Sequence, residues 1–600
     1  IPAEARDLPH DLAASGIVLD PYAGQVLALV EEAGVEGESP NLVAHAPGMV
    51  VTPFIYLAGF TRGYSPASLT WDLPSSLPAG MEVAQNPEGG FHGPARMRTA
   101  LAQDYWASTA ALQAQVGVEN VWHTAAQLGL RSLEDPQVYT AAGFPFQGGR
   151  VTLLEAAQAY GTLATQGTLA GQARAEAGEP LRPAAILRVE DLSGAVDLDW
   201  SVPQEQAAAS PQLATLVTSI LSDASARQIP EGDLDLLDIG RPAAAKTGST
   251  TAGAAWTAGY TPARVAVTWV GTIGRSGWEG QIDPAWAAGL WHALILQASQ
   301  GIPALGWTDP PGLARVEVCD PSGLLPTVNC PKKAQEVFLE GNQPGAYDHL
   351  YVVDSINRET GNLATLYTPP DQVEEKVFFN APAEAKDWAR QAGLALLPEM
   401  IDPIPQEAPE AGAKLTSPAM FDYVSGKVSI RGTARGEHFT SYRLDVERGL
   451  YTKEWSPIVE NVTTPVENGV LAEWDTRGLS GLYALRLQVF DADGMAETAL
   501  LQLRVDNTPP WGHIVNPLAG DHVKLRRGKM MTFSSEVDDD IRVMRVEWWV
   551  DGIKVGESHT QPWIYAWQAE TGQHTLQVKA YDEAGNLSEV GTATFWVDEG

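Results

Sequence analysis

Cysteine is nearly absent from this chain of 600 residues: Cys319 and Cys330 are the only two. A structural zinc site needs four ligands, and no CxxC pair or histidine cluster stands beside either thiol to complete one. Two thiols this close in sequence either close a small loop as a disulfide, worth roughly 3 kcal/mol by loop entropy, or stay buried and free. Long apolar runs are missing too. No stretch reaches the ~18 apolar residues of a membrane-spanning helix. The longest apolar helix candidate, Ala285 to Ala298, is too short and carries His292. Positive charge is scarce: 39 basic residues stand against 74 acidic ones, a formal net charge of -35. A surface that negative repels nucleic acid and anionic lipid headgroups, so neither is expected as a partner. No signal peptide is visible and the chain begins at Ile1 rather than Met, as expected where an upstream segment has been removed or left out.

What is present is ample material for burial. Hydrophobic residues make up 44% of the chain and there are 19 tryptophans, so it folds, and its length asks for several domains. The first 300 residues mix helical and strand periods. Gly16 to Asp20 and Gln25 to Val30 flank a Pro-Tyr-Ala-Gly turn and predict a hairpin. Leu153 to Tyr160 predicts a helix and Val265 to Val270 a strand. Strands and helices without regular alternation suggest an α+β domain. Residues 311–397 form a cysteine-bearing connecting region with several turn signals. In the linker at 398–413, Pro398, Pro403, Pro405 and Pro409 fall among Glu, Ala and Gly.

From about residue 414 the pattern turns to short alternating strands. Leu485, Leu487 and Val489 alternate with Arg486 and Gln488, and Leu576, Val578 and Ala580 alternate with Gln577 and Lys579. The two segments read as copies: Asp491-Ala492-Asp493-Gly494 matches Asp582-Glu583-Ala584-Gly585, Trp474 matches Trp567, and Val505-Asp506 matches Val597-Asp598. Such a repeat predicts two immunoglobulin-like β-sandwiches, at 414–508 and 509–600. Asp491-x-Asp493-Gly494 lacks the further oxygen ligands of a calcium loop and predicts a turn. Asp538-Asp539-Asp540 predicts a solvated loop. No metal site and no cofactor are expected.

One run carries chemistry: Lys246-Thr247-Gly248-Ser249-Thr250. On a strand edge, a Lys ammonium with Thr or Ser hydroxyls binds a peptide carboxylate, and Gly admits the substrate backbone. Such a run is one of three motifs in serine acyltransferases of the β-lactamase and penicillin-binding type. The following Trp256-Thr257-Ala258-Gly259-Tyr260-Thr261-Pro262 and Val267-Thr268-Trp269-Val270-Gly271 closely resemble the stretch after this motif in class A penicillin-binding proteins. Upstream, Leu153 to Tyr160, Phe91-His92-Gly93-Pro94 with Arg98 to Ala102, and Pro53-Phe54-Ile55-Tyr56 with Tyr64-Ser65-Pro66-Ala67 resemble further segments in the family's order. Cys319 to Pro326, then Cys330-Pro331, resembles a segment after the transpeptidase domain in some members, and the immunoglobulin-like tail also has counterparts. The family's N-terminal glycosyltransferase domain and membrane anchor have no counterpart in this sequence. The resemblance implies a multi-domain protein: an N-terminal segment at 1–14, an α+β penicillin-binding-protein/β-lactamase-like transpeptidase domain at 15–310, and two all-β immunoglobulin-like sandwiches.

The family's other two motifs are degenerate. Its nucleophile run, Ser-x-x-Lys at a helix start, places an amine base one turn from a hydroxyl. The matching run here is Pro47 to Phe54, with Met49 in place of serine and Thr52 in place of lysine, and no Ser-x-x-Lys occurs anywhere in the chain. The Ser-x-Asn motif reads Asp104-Tyr105-Trp106, where Trp106 either fills the cleft or packs locally. The expectation is a pseudo-transpeptidase, extracytoplasmic and associated with the cell wall or surface. It either binds peptidoglycan stem peptide non-covalently through Lys246, Thr247, Gly248, Ser249 and Thr250 or scaffolds cell-wall and surface proteins. The alternatives are an active D,D-transpeptidase or carboxypeptidase with a non-standard nucleophile such as Thr52, and a surface-structural or adhesive protein.

Overall fold

The computed structural model describes residues 12–31, 43–76, 86, 89–133, 149–173, 180–227, 234–250, 253–272, 282–405, 412–451, 454–525 and 530–599. Residues 1–11 of the expected N-terminal segment and 406–411 of the expected linker, Pro409 included, lie outside them. The chain is a mostly-β, multi-domain protein. It divides into two compact units, Ile1–Pro326 with Pro331–Gly345, and Thr327–Cys330 with Ala346–Gly600.

The first unit is organised by a five-stranded antiparallel sheet. Its order is Gln25–Glu31, Leu12–Asp20, Val265–Thr272, Ala254–Tyr260, Ala244–Thr250. The expected hairpin at its start forms through the turn at 21–24, and its inner strand pairs Ile17 with Val267. Successive residues of a strand face opposite sides. Gly259 lies against Trp291 of the helix Pro284–Ala298, and Tyr260 meets Tyr160 of the helix Leu153–Ala164 edge to face. Each face of the sheet is therefore covered by a helix. Thr152 and Glu155 form a capping box that starts the second of these helices. Asp283 caps the first, with Pro284 at its opening turn.

The connecting region expected at 311–397 is not one element. Strands Leu313–Cys319 and Lys333–Leu339 pair with each other and belong to the first unit, whereas the chain from Ala346 belongs to the second. The reason is a buried ionic cluster that the sequence does not advertise. Glu336, 1% exposed, accepts from Arg96 at 2.7 Å and from Arg98 at 2.9 Å. Arg96 also pairs with Asp320 and Arg98 with Asp223. Both cysteines are disulfide-bonded.

The second unit opens with the hairpin Tyr351–Asn357 and Val373–Phe379, then carries two sandwiches. Each pairs a three-stranded with a five-stranded sheet, in the same order. The first has Ala413–Ser417, Lys427–Ala434 and Val466–Asp475 against a sheet built on Phe439–Arg448, Gly481–Asp491 and Ala496–Val505. The second has Trp511–Asn516, Met530–Asp538 and Ile564–Gln568 against one built on Val543–Val550, Gly572–Asp582 and Leu587–Glu599. Trp474 and Trp567 occupy separate apolar cores. Asp491 makes the expected turn, its carboxylate accepting from the Asp493 and Met495 N–H groups. The solvated loop expected at Asp538-Asp539-Asp540 is a correction: Asp539 is 2% exposed.

Candidate functional site

Lys246 to Thr250 lie on the sheet's edge strand, in register with Ala258 to Ala254 of its neighbour. The turn that carries the degenerate nucleophile run packs on this strand. Gly48 to Val51 form a 3-10 turn that leads into the helix Thr52–Phe60. A Cβ on Gly248 would meet the Met49 and Val50 nitrogens at 2.9 Å, and one on Gly48 would meet the Ser249 carbonyl oxygen at 2.3 Å. Gly48 also holds φ +56, a left-handed conformation that glycine adopts without strain. The glycine of the Lys-Thr-Gly run thus admits a turn of this chain. Three further bonds clamp that turn: Trp256 Nε1 donates to Ala46 O at 2.9 Å, Tyr160 Oη to Val50 O at 2.7 Å, and Thr52 Oγ1 to Met49 O at 2.7 Å.

Met49 is 2% exposed and Thr52 fully buried. A thioether has no proton to give up and forms no acyl ester. The Thr52 hydroxyl commits its proton to a carbonyl and does not reach solvent, so it is not placed for attack.

Asp104 is brought to Lys246. The helix Met97–Ala102 stops where Tyr105 N–H reaches back to Ala100 O and Asp104 adopts φ 59. Asp is one of the few side chains that enter this left-handed region readily. Its Oδ2 then lies 2.6 Å from Lys246 Nζ, and the lysine side chain is 4% exposed. The ammonium expected to receive a substrate carboxylate holds an internal one. Trp106 opens the next helix, Trp106–Val116, and is half-buried. Asn86 accepts from the Trp106 N–H at 2.7 Å and donates to Asp72 at 2.6 Å. Asp72, fully buried, also receives the His92 ring, which stacks on Tyr105 at 4.2 Å. This network holds the Asp104 turn, and sequence reasoning missed it. Asp72, Asn86 and His92 are separated by loops whose pairing no local pattern encodes.

A cavity of about 240 Å³ opens beside the edge strand, lined among others by Ala102, Leu221, Arg227, Asp235, Lys246 and Thr247. Neither Met49 nor Trp106 lines it. Thr247, Ser249 and Thr250 are partly exposed, and Thr250 Oγ1 accepts from the Ala254 N–H.

Among the described residues, one carboxylate group has metal-ligand spacing, Asp506 with Asp539 and Asp540 in the second unit. Burial, ahead of repulsion from neighbouring carboxylates, pushes Asp506 up to about 6 and Asp539 up to about 7. The sequence held one clue to it, Asp506 following a repeated strand, but Asp539 and Asp540 have no counterpart in the first copy.

A family model described as "Penicillin-binding protein 1A, C-terminal domain" matches residues 309–353, and one described as "Bacterial Ig domain" matches residues 510–578. Penicillin-binding protein 1A of Clostridium novyi (strain NT) is 30% identical over 152 residues, which are 24% of this chain and 17% of that protein. Penicillin-binding protein 1A of Vibrio cholerae serotype O1 is 24% identical over 395 residues, 57% of this chain and 46% of that one. The chain therefore spans less than half the length of these relatives. The solved structure of penicillin-binding protein 1A from Haemophilus influenzae matches at 19% identity and a TM-score of 0.46, over 56% of this chain and 55% of that one. No helix among the described residues is long and apolar enough to cross a membrane. By sequence, then, parts of the chain are similar to penicillin-binding proteins 1A, and residues 510–578 match a bacterial Ig domain model.

Proposed function

We propose that residues 15–310 are an α+β transpeptidase-type domain that no longer performs acyl transfer, and that the protein serves as an extracytoplasmic scaffold of the cell wall or surface. The observation that carries this reading is the Lys246–Asp104 ion pair at 2.6 Å. Serine-type acyl transfer needs a hydroxyl nucleophile, a base beside it and a cationic group free to take the substrate carboxylate. Here Met49 supplies no hydroxyl, Thr52 no amine, and the Lys246 charge is already neutralised by a carboxylate of the same chain.

The ion pair also favours scaffolding over peptide capture. A stem-peptide carboxylate would have to displace Asp104 from a nearly desiccated lysine, and losing a partner in such a site is costly. The reading with Thr52 as nucleophile is disfavoured by its full burial and by its bond to Met49 O. In the second unit, the two sandwiches would supply the surface for partner proteins; residues 510–578 of the second match a bacterial Ig domain model.

The test is incubation of the full chain with a fluorescent β-lactam, followed by denaturing electrophoresis. The expected result is no labelled band; an adduct that survives denaturation overturns the proposal. In parallel, Asp104→Asn, which removes the competing carboxylate, is expected to raise the affinity for a D-Ala-D-Ala peptide above that of the parent chain.

A further inference from the structure

Between the two sandwiches the chain passes through Val505-Asp506-Asn507-Thr508. Asn507 is tied back to the first sandwich: its Nδ2 donates to Thr476 O at 2.8 Å and to Leu479 O at 3.1 Å, and its Oδ1 accepts from the Gly426 N–H at 2.8 Å. Asp506 turns the other way, toward the second sandwich. There Asp539 and Asp540 directly follow the strand Met530–Asp538. The ligand oxygens of the three carboxylates lie within 4.8 Å of one another.

Two features separate this group from an ordinary acidic surface. Asp506 and Asp539 are 3% and 2% exposed, so water does not screen them. Each is also held in place by one oxygen while the other has no partner. Asp506 Oδ1 accepts from the Thr508 N–H at 2.9 Å, and Asp539 Oδ1 accepts from the Ile541 and Arg542 N–H groups at 2.9 and 2.8 Å. Asp506 Oδ2, Asp539 Oδ2 and Asp540 Oδ1 are buried with no hydrogen-bond partner. A buried carboxylate oxygen without donor or cation is expensive, and native proteins seldom leave one so. Three such oxygens, on carboxylates that come within 4.8 Å of one another, make a ready set of anionic ligands. His349 bears on Asp540, but its ring pairs with Asp538 at 3.3 Å.

We infer that Asp506, Asp539 and Asp540 form a calcium site that fastens the linker of the first sandwich to the tip of the second. All three ligands are hard anionic oxygens, which suit calcium or magnesium rather than a thiolate- or imidazole-seeking metal. Calcium–oxygen bonds of about 2.3–2.6 Å span oxygens up to roughly 5 Å apart across the ion, and calcium tolerates irregular geometry. Magnesium demands bonds of about 2.0–2.1 Å in a near-ideal octahedron and dehydrates reluctantly, so three carboxylates held by the fold suit it less well. Waters complete the calcium shell at the more open Asp540 side. The ion cancels the repulsion among the three carboxylates and stiffens the junction, because Asp506 and Asn507 are adjacent and anchor to different sandwiches.

The experiment is calorimetric titration of the chelator-stripped full chain with calcium chloride, with a parallel titration in magnesium chloride, and thermal unfolding with and without calcium. The parent is expected to bind one calcium saturably, to bind magnesium at least ~10-fold more weakly, and to unfold at higher temperature when loaded. Asp506→Asn and Asp539→Asn each delete one anionic ligand, and each is expected to weaken calcium binding at least ~10-fold. Without calcium both variants are expected to keep the parent's far-UV circular dichroism and to unfold no earlier, since they relieve like-charge repulsion. The inference is overturned if the parent shows no saturable calcium binding up to millimolar concentration, if both variants bind as the parent does, or if magnesium binds as tightly as calcium.

Discussion

Replacing Asp104 by asparagine isolates the charge of the ion pair from everything else at the site. Asparagine has nearly the same shape and enters the left-handed region as readily as aspartate, so φ 59 at this position stays unstrained. What changes is that the Lys246 ammonium, on a residue 3% exposed, faces a neutral amide. Removing one partner of a buried ion pair costs ~3–5 kcal/mol. The Asp104 side chain is 17% exposed, and water there offsets part of the loss. The lower end therefore applies, about 3 kcal/mol, or about 150-fold in the folding equilibrium. The assay is denaturant unfolding followed by tryptophan fluorescence, with the midpoint falling and the slope unchanged. Lys246→Met is expected to cost less, because the carboxylate it abandons is the more accessible partner. The double variant is expected to recover part of the sum, with a coupling of about 0.5–3 kcal/mol. If Asp104→Asn stays within about 0.5 kcal/mol of the parent, or the coupling is nil, the pair is not the buried interaction argued here.

Acid should weaken the first unit through Asp320. Burial alone would raise its carboxyl, but Arg96 and Lys332, each at 3.0 Å, outweigh it and hold the group below its ordinary value of 3.8. A depressed folded value means that the contribution is complete above 3.8 and is lost as pH falls through the folded value. The denaturant midpoint should therefore drop as pH falls below that point, with Asp320→Asn less stable at neutral pH and flatter in acid; an equal acid slope in the variant refutes this. In the second unit, Trp474→Ala and Trp567→Ala should each lose ~3–5 kcal/mol. Because the two side chains sit in separate cores, the losses should add within about 0.5 kcal/mol, and strong non-additivity by unfolding measurements would contradict independent cores.

Much of the local architecture was legible because local rules write it. The hairpin around the turn at 21–24, the helix that begins after Thr152 and the strand at Val265 follow from turn chemistry, capping and alternation. The paired sandwiches followed from a repeat, which survives in sequence because both copies bury the same alternate positions, Leu485 and Leu487 in one and Leu576 and Val578 in the other. Residues 311–397 were not legible as two parts. The partition depends on Glu336 meeting Arg96 and Arg98 from more than two hundred positions away, and nothing near Glu336 signals a buried charge.

The candidate site divides along the same line. Sequence alone determined that no Ser-x-x-Lys exists, that Met49 and Thr52 stand in the matching run, and that Lys246-Thr247-Gly248-Ser249 remains. These are statements of chemical identity, and they hold in any conformation. Only the tertiary structure decided what the survivors do. It joined Asp104 to Lys246 across 142 positions of chain, packed Gly248 on the Met49 turn, and buried Asp539 where an acidic run had suggested a wet loop. Coulomb energy and desolvation depend on distance and surroundings in space, and a sequence of residue types carries neither until the chain has folded.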